Sequence, residues 1–230
     1  MERRNAWKTY TQEQLKELDQ INDRYKVCLD EGKTERECIR LTVKEIEKQG
    51  YRNLNDIKGS LKTGDKVYAV CMGKSIAMFR IGKEPLENGM NILGAHIDSP
   101  RIDVKQNPLY ESEGMAYLDT HYYGGIKKYQ WVTLPLALHG VICKKDGTTV
   151  TVNIGEKPED PVFGVSDLLI HLAGEQMEKK ASKVIEGENL DLLVGSIPAA
   201  SDDEKEKKEM KDRVKANILN ILSKEYGVDE

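Results

Sequence analysis

Met90-Asn91-Ile92-Leu93-Gly94-Ala95-His96-Ile97-Asp98-Ser99-Pro100 decides how the chain is read. Its first half is a short apolar run without clean alternation. Such a run suits a strand covered on both faces, as in the middle of an α/β sheet. Its second half puts His96 and Asp98 at the predicted C-terminal end of that strand, the edge where ligands bind in open α/β sheets. A His followed two residues later by an Asp can present an imidazole to a metal. The carboxylate can then orient the ring and raise its basicity. Pro100 would stiffen the exit. The same spacing also fits a strand-end His and Asp in an ordinary polar loop, and spacing alone leaves both readings open.

Upstream, the first fifty residues read as a helical hairpin. Thr11-Gln12-Glu13-Gln14 and Thr34-Glu35-Arg36-Glu37 both have the capping-box form. Behind the first, Leu15, Leu18, Ile21, Tyr25, Cys28 and Leu29 recur at helical spacing; behind the second, Cys38, Leu41, Val43 and Ile46 do. Glu31-Gly32 and Gly50 offer the stops. Lys66–Cys71 and Ser75–Arg80, joined by Met72-Gly73-Lys74, predict a β-hairpin.

Downstream of Pro100 the chain turns rich in Tyr, Thr, Val and Gly. Val132–Cys143 and Thr148–Ile154 predict strands around the Lys144–Gly147 turn. Ser166–Glu178 predicts a short helix and residues 188–194 a further strand. A third capping box, Ser201-Asp202-Asp203-Glu204, predicts a last helix to about Tyr226. His121-Tyr122-Tyr123-Gly124-Gly125-Ile126-Lys127-Lys128 gathers aromatics, a Gly pair and two lysines. The lysines could meet a carboxylate, or the stretch could be a hairpin turn with solvated lysines. His139 and His171, in apolar surroundings, read as core or interface histidines rather than ligands.

Composition narrows the function classes. The 230 residues carry 39% hydrophobic and 32% charged side chains, with 35 Lys+Arg against 39 Asp+Glu and a net charge of −4. That is an ordinary globular composition, without the basic face that non-specific nucleic-acid binding needs. No apolar run approaches the roughly 20 residues of a membrane span, and no secretory signal follows Met1. Four cysteines, at 28, 38, 71 and 143, form no Cys-x-x-Cys pair. The expectation is a cytoplasmic protein with reduced thiols and neither nucleic-acid nor membrane partners. No Gly-x-Ser-x-Gly elbow, Walker loop, dinucleotide fingerprint or His-Glu-x-x-His helix occurs.

Gly94–Pro100, together with His121–Gly125 about twenty residues on, resembles the aspartyl-aminopeptidase family of two-zinc metallopeptidases, closest to its bacterial branch of probable aminopeptidases. The resemblance extends to the opening hairpin with Trp7 and Tyr10 and to Leu136-Ala137-Leu138-His139-Gly140. It implies an α/β fold class: the first part of a zinc-exopeptidase catalytic domain over residues 1–102, then an inserted β-rich dimerisation domain with a C-terminal helix over residues 103–230. It implies that His96 is the first zinc ligand and that Asp98 is the catalytic acidic residue supporting it. It implies two zinc ions per complete site, a peptide substrate and assembly into large homo-oligomers, often dodecamers. The family's bridging Asp, its Glu pair and its remaining ligands lie beyond the insertion, and one His plus one Asp cannot complete a two-zinc site. The expectation is therefore the N-terminal half of a zinc-dependent aminopeptidase, inactive alone, with a C-terminal-half chain as a further partner. The alternative expectation is a non-catalytic assembly module. Tyr129 and Thr133-Leu134 stand where many eukaryotic members carry a His and an Asp-Arg pair, which weakens the case for an acidic N-terminal preference.

Overall fold

The computed structural model describes residues 5–200 and 212–228. The chain divides into two compact units, Met1–Ser99 and Pro100–Glu230.

In the first unit both predicted capping boxes form. Thr11 opens α1 (Gln12–Glu31): its hydroxyl accepts from the Gln14 amide, while the Gln14 side chain accepts from the Thr11 amide. Thr34 opens α2 (Glu35–Lys48) with Glu37 in the reciprocal role. These bonds satisfy amides that a helix start otherwise leaves orphaned. The helices differ in burial. No residue of α1 is buried, whereas α2 buries Ile39 and Ile46. Of the predicted α2 stripe, Ile46 is core, and Cys38, Leu41 and Val43 are half-buried.

A three-stranded sheet completes the unit. β1 (Arg52–Asn53) runs parallel to β2 (Lys66–Cys71), which pairs antiparallel with β3 (Ser75–Arg80). Both hairpin strands span the predicted residues. Met72 and Gly73 turn the chain with positive φ, 52° and 68°, the handedness that suits a tight hairpin. Val67 and Tyr68 fill the core, and the Tyr68 hydroxyl donates to Glu47 at 2.6 Å, tying the central strand to α2.

The predicted strand over 90–95 does not form. Residues 89–100 have no regular secondary structure, and Ile92 and Leu93 are exposed. A strand buried on both faces needs a ladder partner and covering layers. Among the described residues no strand pairs with this run.

The second unit is β-rich. β4 (Arg101–Ser112) and β5 (Met115–Tyr123) form a long antiparallel hairpin, with a register shift between Val104 and Leu109, and β8 (Leu192–Gly195) adds to the other edge of β5. β6 (Leu138–Cys143) and β7 (Thr149–Ile154) form a separate two-stranded ribbon. The strand expected over 132–143 is thus shortened to its second half. Val132 and Leu136 make only single bridges, to Val165 and Phe163. Thr133 between them is left-handed at φ 59°, a conformation that breaks a strand, and Pro135 has no amide to donate to a ladder. The strand expected over 188–194 forms later, as β8 from Leu192, and Gly187–Asn189 make a 3-10 turn. The helix expected over 166–178 is reduced to a 3-10 turn at Ile170–Leu172 and the single turn α3 (Gly174–Met177). The stretch 121–131 is not a hairpin turn: β5 ends at Tyr123 and a loop leads into a 3-10 turn at Lys128–Gln130.

The core of this unit is Val132, Phe163, Val165, Ile185, Leu190 and Leu192. α4 (Arg213–Tyr226) packs on β4, β5 and β8. Its start is capped from a distance, since Glu111 Oε2 accepts from the Val214 and Lys215 amides. Gly195 makes the close approach possible: a Cβ there would stand 2.8 Å from Ile218 Cδ1. The third predicted capping box, Ser201–Glu204, lies outside the described residues. No helix among the described residues is long and apolar enough to cross a membrane.

Candidate metal-ligand loop

His96 and Asp98 lie together on the irregular segment that follows Leu93. The His96 side chain is 85% exposed and that of Asp98 is 41% exposed. His96 Nδ1 stands 3.0 Å from the Asp98 backbone oxygen and 3.4 Å from Asp98 Oδ1. A carbonyl oxygen can only accept, so the bond assigns the proton to Nδ1. In the neutral ring Nε2 then keeps its lone pair. That is the tautomer in which a histidine offers Nε2 to a metal while a polar partner fixes Nδ1. The pairing was legible as His-x-Asp. The backbone carbonyl, nearer than the carboxylate, was not.

A third residue reaches this loop. Cys38, on the first turns of α2, places Sγ 3.8 Å from the Ile97 carbonyl oxygen and 3.5 Å from that of Gly32. Burial, then the neighbouring Glu37 carboxylate, pushes the Cys38 thiol above its ordinary range, so it stays protonated. Nothing in the sequence announces a contact across 59 positions.

The other candidate residues lie elsewhere. In the second unit His121 stacks on Tyr122, and Lys128 stands over the same ring. Gly124, at φ 73°, brings its backbone against the Pro100 ring. Behind them Lys105 bridges Asp119 at 2.9 Å and Glu188 at 2.8 Å. Those bonds, the one to Asp119 foremost, hold the ammonium well above its usual range. The bond to Lys105 holds Glu188 below the usual carboxylate range. His139, a predicted core or interface residue, has little exposed side-chain surface and meets Glu156 at 2.8 Å. His171, given the same expectation, is exposed.

His96 Nε2 therefore fits a zinc ion as one ligand, but a tetrahedral site needs more donors. Among the described residues no three His, Cys, Asp or Glu side chains cluster to hold a metal.

Comparison with known proteins identifies the family. A probable M18 family aminopeptidase 1 of Clostridium acetobutylicum is 61% identical over 232 residues, covering 100% of this chain and 49% of that protein. Its Thermotoga maritima counterpart is 43% identical over 230 residues, covering 100% and 48%. The crystal structure of the Thermotoga maritima M18 aminopeptidase superposes with a TM-score of 0.87 at 44% identity, over 100% of this chain and 48% of that one. That of aminopeptidase I from Clostridium acetobutylicum gives 0.82 at 58%, over 100% and 50%. The chain thus spans about half the length of the curated relatives it matches. The resemblance carried by Gly94–Pro100 and His121–Gly125 is borne out at the level of the family, as is the mixed α/β fold class. The family model described as aminopeptidase I zinc metalloprotease (M18) matches residues 28–230, and the chain belongs to that family.

Proposed function

We propose that this chain is the N-terminal half of a cytoplasmic, zinc-dependent aminopeptidase that removes N-terminal residues from peptides. His96 supplies one ligand, through Nε2, to a two-zinc site whose other ligands come from a C-terminal half. Asp98 orients the His96 ring. Residues 1–102 form the first part of the catalytic domain and residues 103–230 the inserted assembly domain. The observation that carries this reading is the His96 Nδ1–Asp98 oxygen bond at 3.0 Å, which leaves Nε2 as the free donor on an exposed loop. Zinc, when bound, supplies a Lewis acid that polarises water and a peptide carbonyl. The chain's own part is to hold that imidazole in one tautomer and one orientation. The test is hydrolysis of an aminoacyl-nitroanilide by purified 1–230 in the presence of zinc. The expected result is none, because one imidazole and one carboxylate leave the site without its full ligand set and without a positioned base. Metal-dependent turnover that survives removal of contaminants overturns the reading.

A second reading, a non-catalytic assembly module, draws on the surface of the β-rich unit. Val162, Leu168, Leu169, Ile170, Leu172 and Met177 are all exposed there, and apolar surface of that extent marks interfaces. A fold neighbour at 21% identity is described as a dodecamer. Both readings expect self-association. In sedimentation at tens of micromolar, by rough choice, a dimer or larger species is expected. A strict monomer counts against the assembly role.

A further inference from the structure

The His96 loop sits on a segment without ladder bonds, and Asp98, which holds the ring, belongs to the same turn. Besides the bond inside the turn, a contact from outside reaches the backbone between donor and acceptor. The residue between them is Ile97, and the Cys38 thiol reaches its carbonyl at 3.8 Å. Cys38 stands on α2, whose Ile39 and Ile46 are core residues, so the thiol projects from a fixed element. The space it occupies exists because residue 32 is glycine. A Cβ there would stand 3.0 Å from Sγ and 2.6 Å from the Cys28 carbonyl oxygen. The thiol sulfur has two acceptors within reach, Gly32 O at 3.5 Å and Ile97 O at 3.8 Å, and so stands between the α1–α2 turn and the loop.

We propose that Cys38 is a positioning residue for His96: through the Ile97 carbonyl it fixes the turn that holds the His96 ring with its proton on Nδ1 and Nε2 free. The value of this to catalysis rests on the reading of His96 as a zinc ligand, but the effect on the ring does not. A thiol is a weak donor, so the expected effect is a bias and not an all-or-none change.

The test is imidazole nitrogen NMR on the 230-residue chain at about pH 8, where an ordinary histidine ring is neutral. Wild type should show predominantly the Nδ1–H form of His96. Cys38→Val removes the donor and fills its place with methyl groups, and Cys38→Ala removes the donor and the sulfur. Each should shift the tautomer ratio toward Nε2–H by roughly two- to five-fold, the scale of one weak hydrogen bond. Cys38→Ser, which restores a hydroxyl donor, should return the ratio toward wild type. Far-UV circular dichroism checks that each variant is folded, and Cys38→Ser reports if Cys38→Ala does not fold. An unchanged ratio in folded Cys38→Val overturns the proposal and leaves Cys38 as packing. A zinc titration in the same spectra separates the two readings. If zinc leaves the His96 nitrogens unmoved in the protein completed by its remaining half while Cys38→Val shifts the tautomer, the zinc-ligand reading fails and the positioning of the ring stands.

Discussion

His96→Ala, in the protein completed by its remaining M18 half, is expected to lose more than about 100-fold in metal affinity and with it essentially all turnover. The bound follows from comparison. A hydrogen-bond partner behind a ligating histidine is typically worth about 10–100-fold, and the ligand itself is worth more. The fold of the first unit should survive. The ring is 85% exposed, and its described partner lies within its own turn. Removing it therefore opens no cavity and leaves no buried polar group unpaired. Asp98→Asn is the informative companion. The nearer acceptor to Nδ1 is the Asp98 backbone oxygen at 3.0 Å, and the carboxylate stands at 3.4 Å. The substitution keeps the first and neutralises the second, so its cost should lie near the lower end of that range, about 10-fold. Zinc content by mass spectrometry, measured beside turnover, checks both variants. Wild-type zinc and wild-type rate in His96→Ala would make His96 a loop histidine.

The parts of the fold that were legible in the sequence are those whose determinants are local. The two capping boxes are reciprocal bonds across three residues, and both form as read. The hairpin of β2 and β3 is set by Met72-Gly73 and by the strand residues beside it. What was not legible depended on partners far along the chain. The apolar run at 90–95 has strand composition, yet a strand is a property of a pair, and the described residues give it no pair. The run from Val132 has the apolar composition of a continuous strand, but a left-handed Thr133 and a tertiary amide at Pro135 interrupt it. The Ser166 segment keeps only a 3-10 turn at Ile170–Leu172 and the single turn that begins at Gly174. The N-cap role of Glu111 toward α4 spans about a hundred positions and leaves no local mark. The candidate site divides the same way. His96 and Asp98 are visible as neighbours, whereas the use of the Asp98 backbone and the reach of Cys38 required the fold.

Leu190→Ala should be the most damaging single truncation in the second unit. Leu190 is fully buried at 0% exposure, in a core with Val132, Phe163, Val165, Ile185 and Leu192. Removing a core leucine side chain costs about 2–5 kcal/mol, and the amount depends on how far the surroundings can close over the gap. Here they are held apart. The Leu190 carbonyl accepts from Thr120 Oγ1 at 2.7 Å. Next to it Asp191 accepts from the Thr120 amide at 3.3 Å and from the Tyr110 hydroxyl at 2.6 Å. These bonds pin the backbone of residues 190–191 to β4 and β5, so it cannot move inward when the side chain is shortened. The cavity should persist, and the cost should fall in the upper part of the range, about 4 kcal/mol. For a unit of this size that corresponds to a fall of roughly 10–20 °C in the midpoint of its thermal transition. Leu134→Ala is the matched control. It deletes the same atoms from an exposed position, and a surface change of this kind stays within about 0.5 kcal/mol. Differential scanning calorimetry of the two variants beside wild type decides the matter. If Leu190→Ala melts with Leu134→Ala, the core of this unit closes over the gap, and the bonds of Thr120 and Asp191 do not hold its backbone in place.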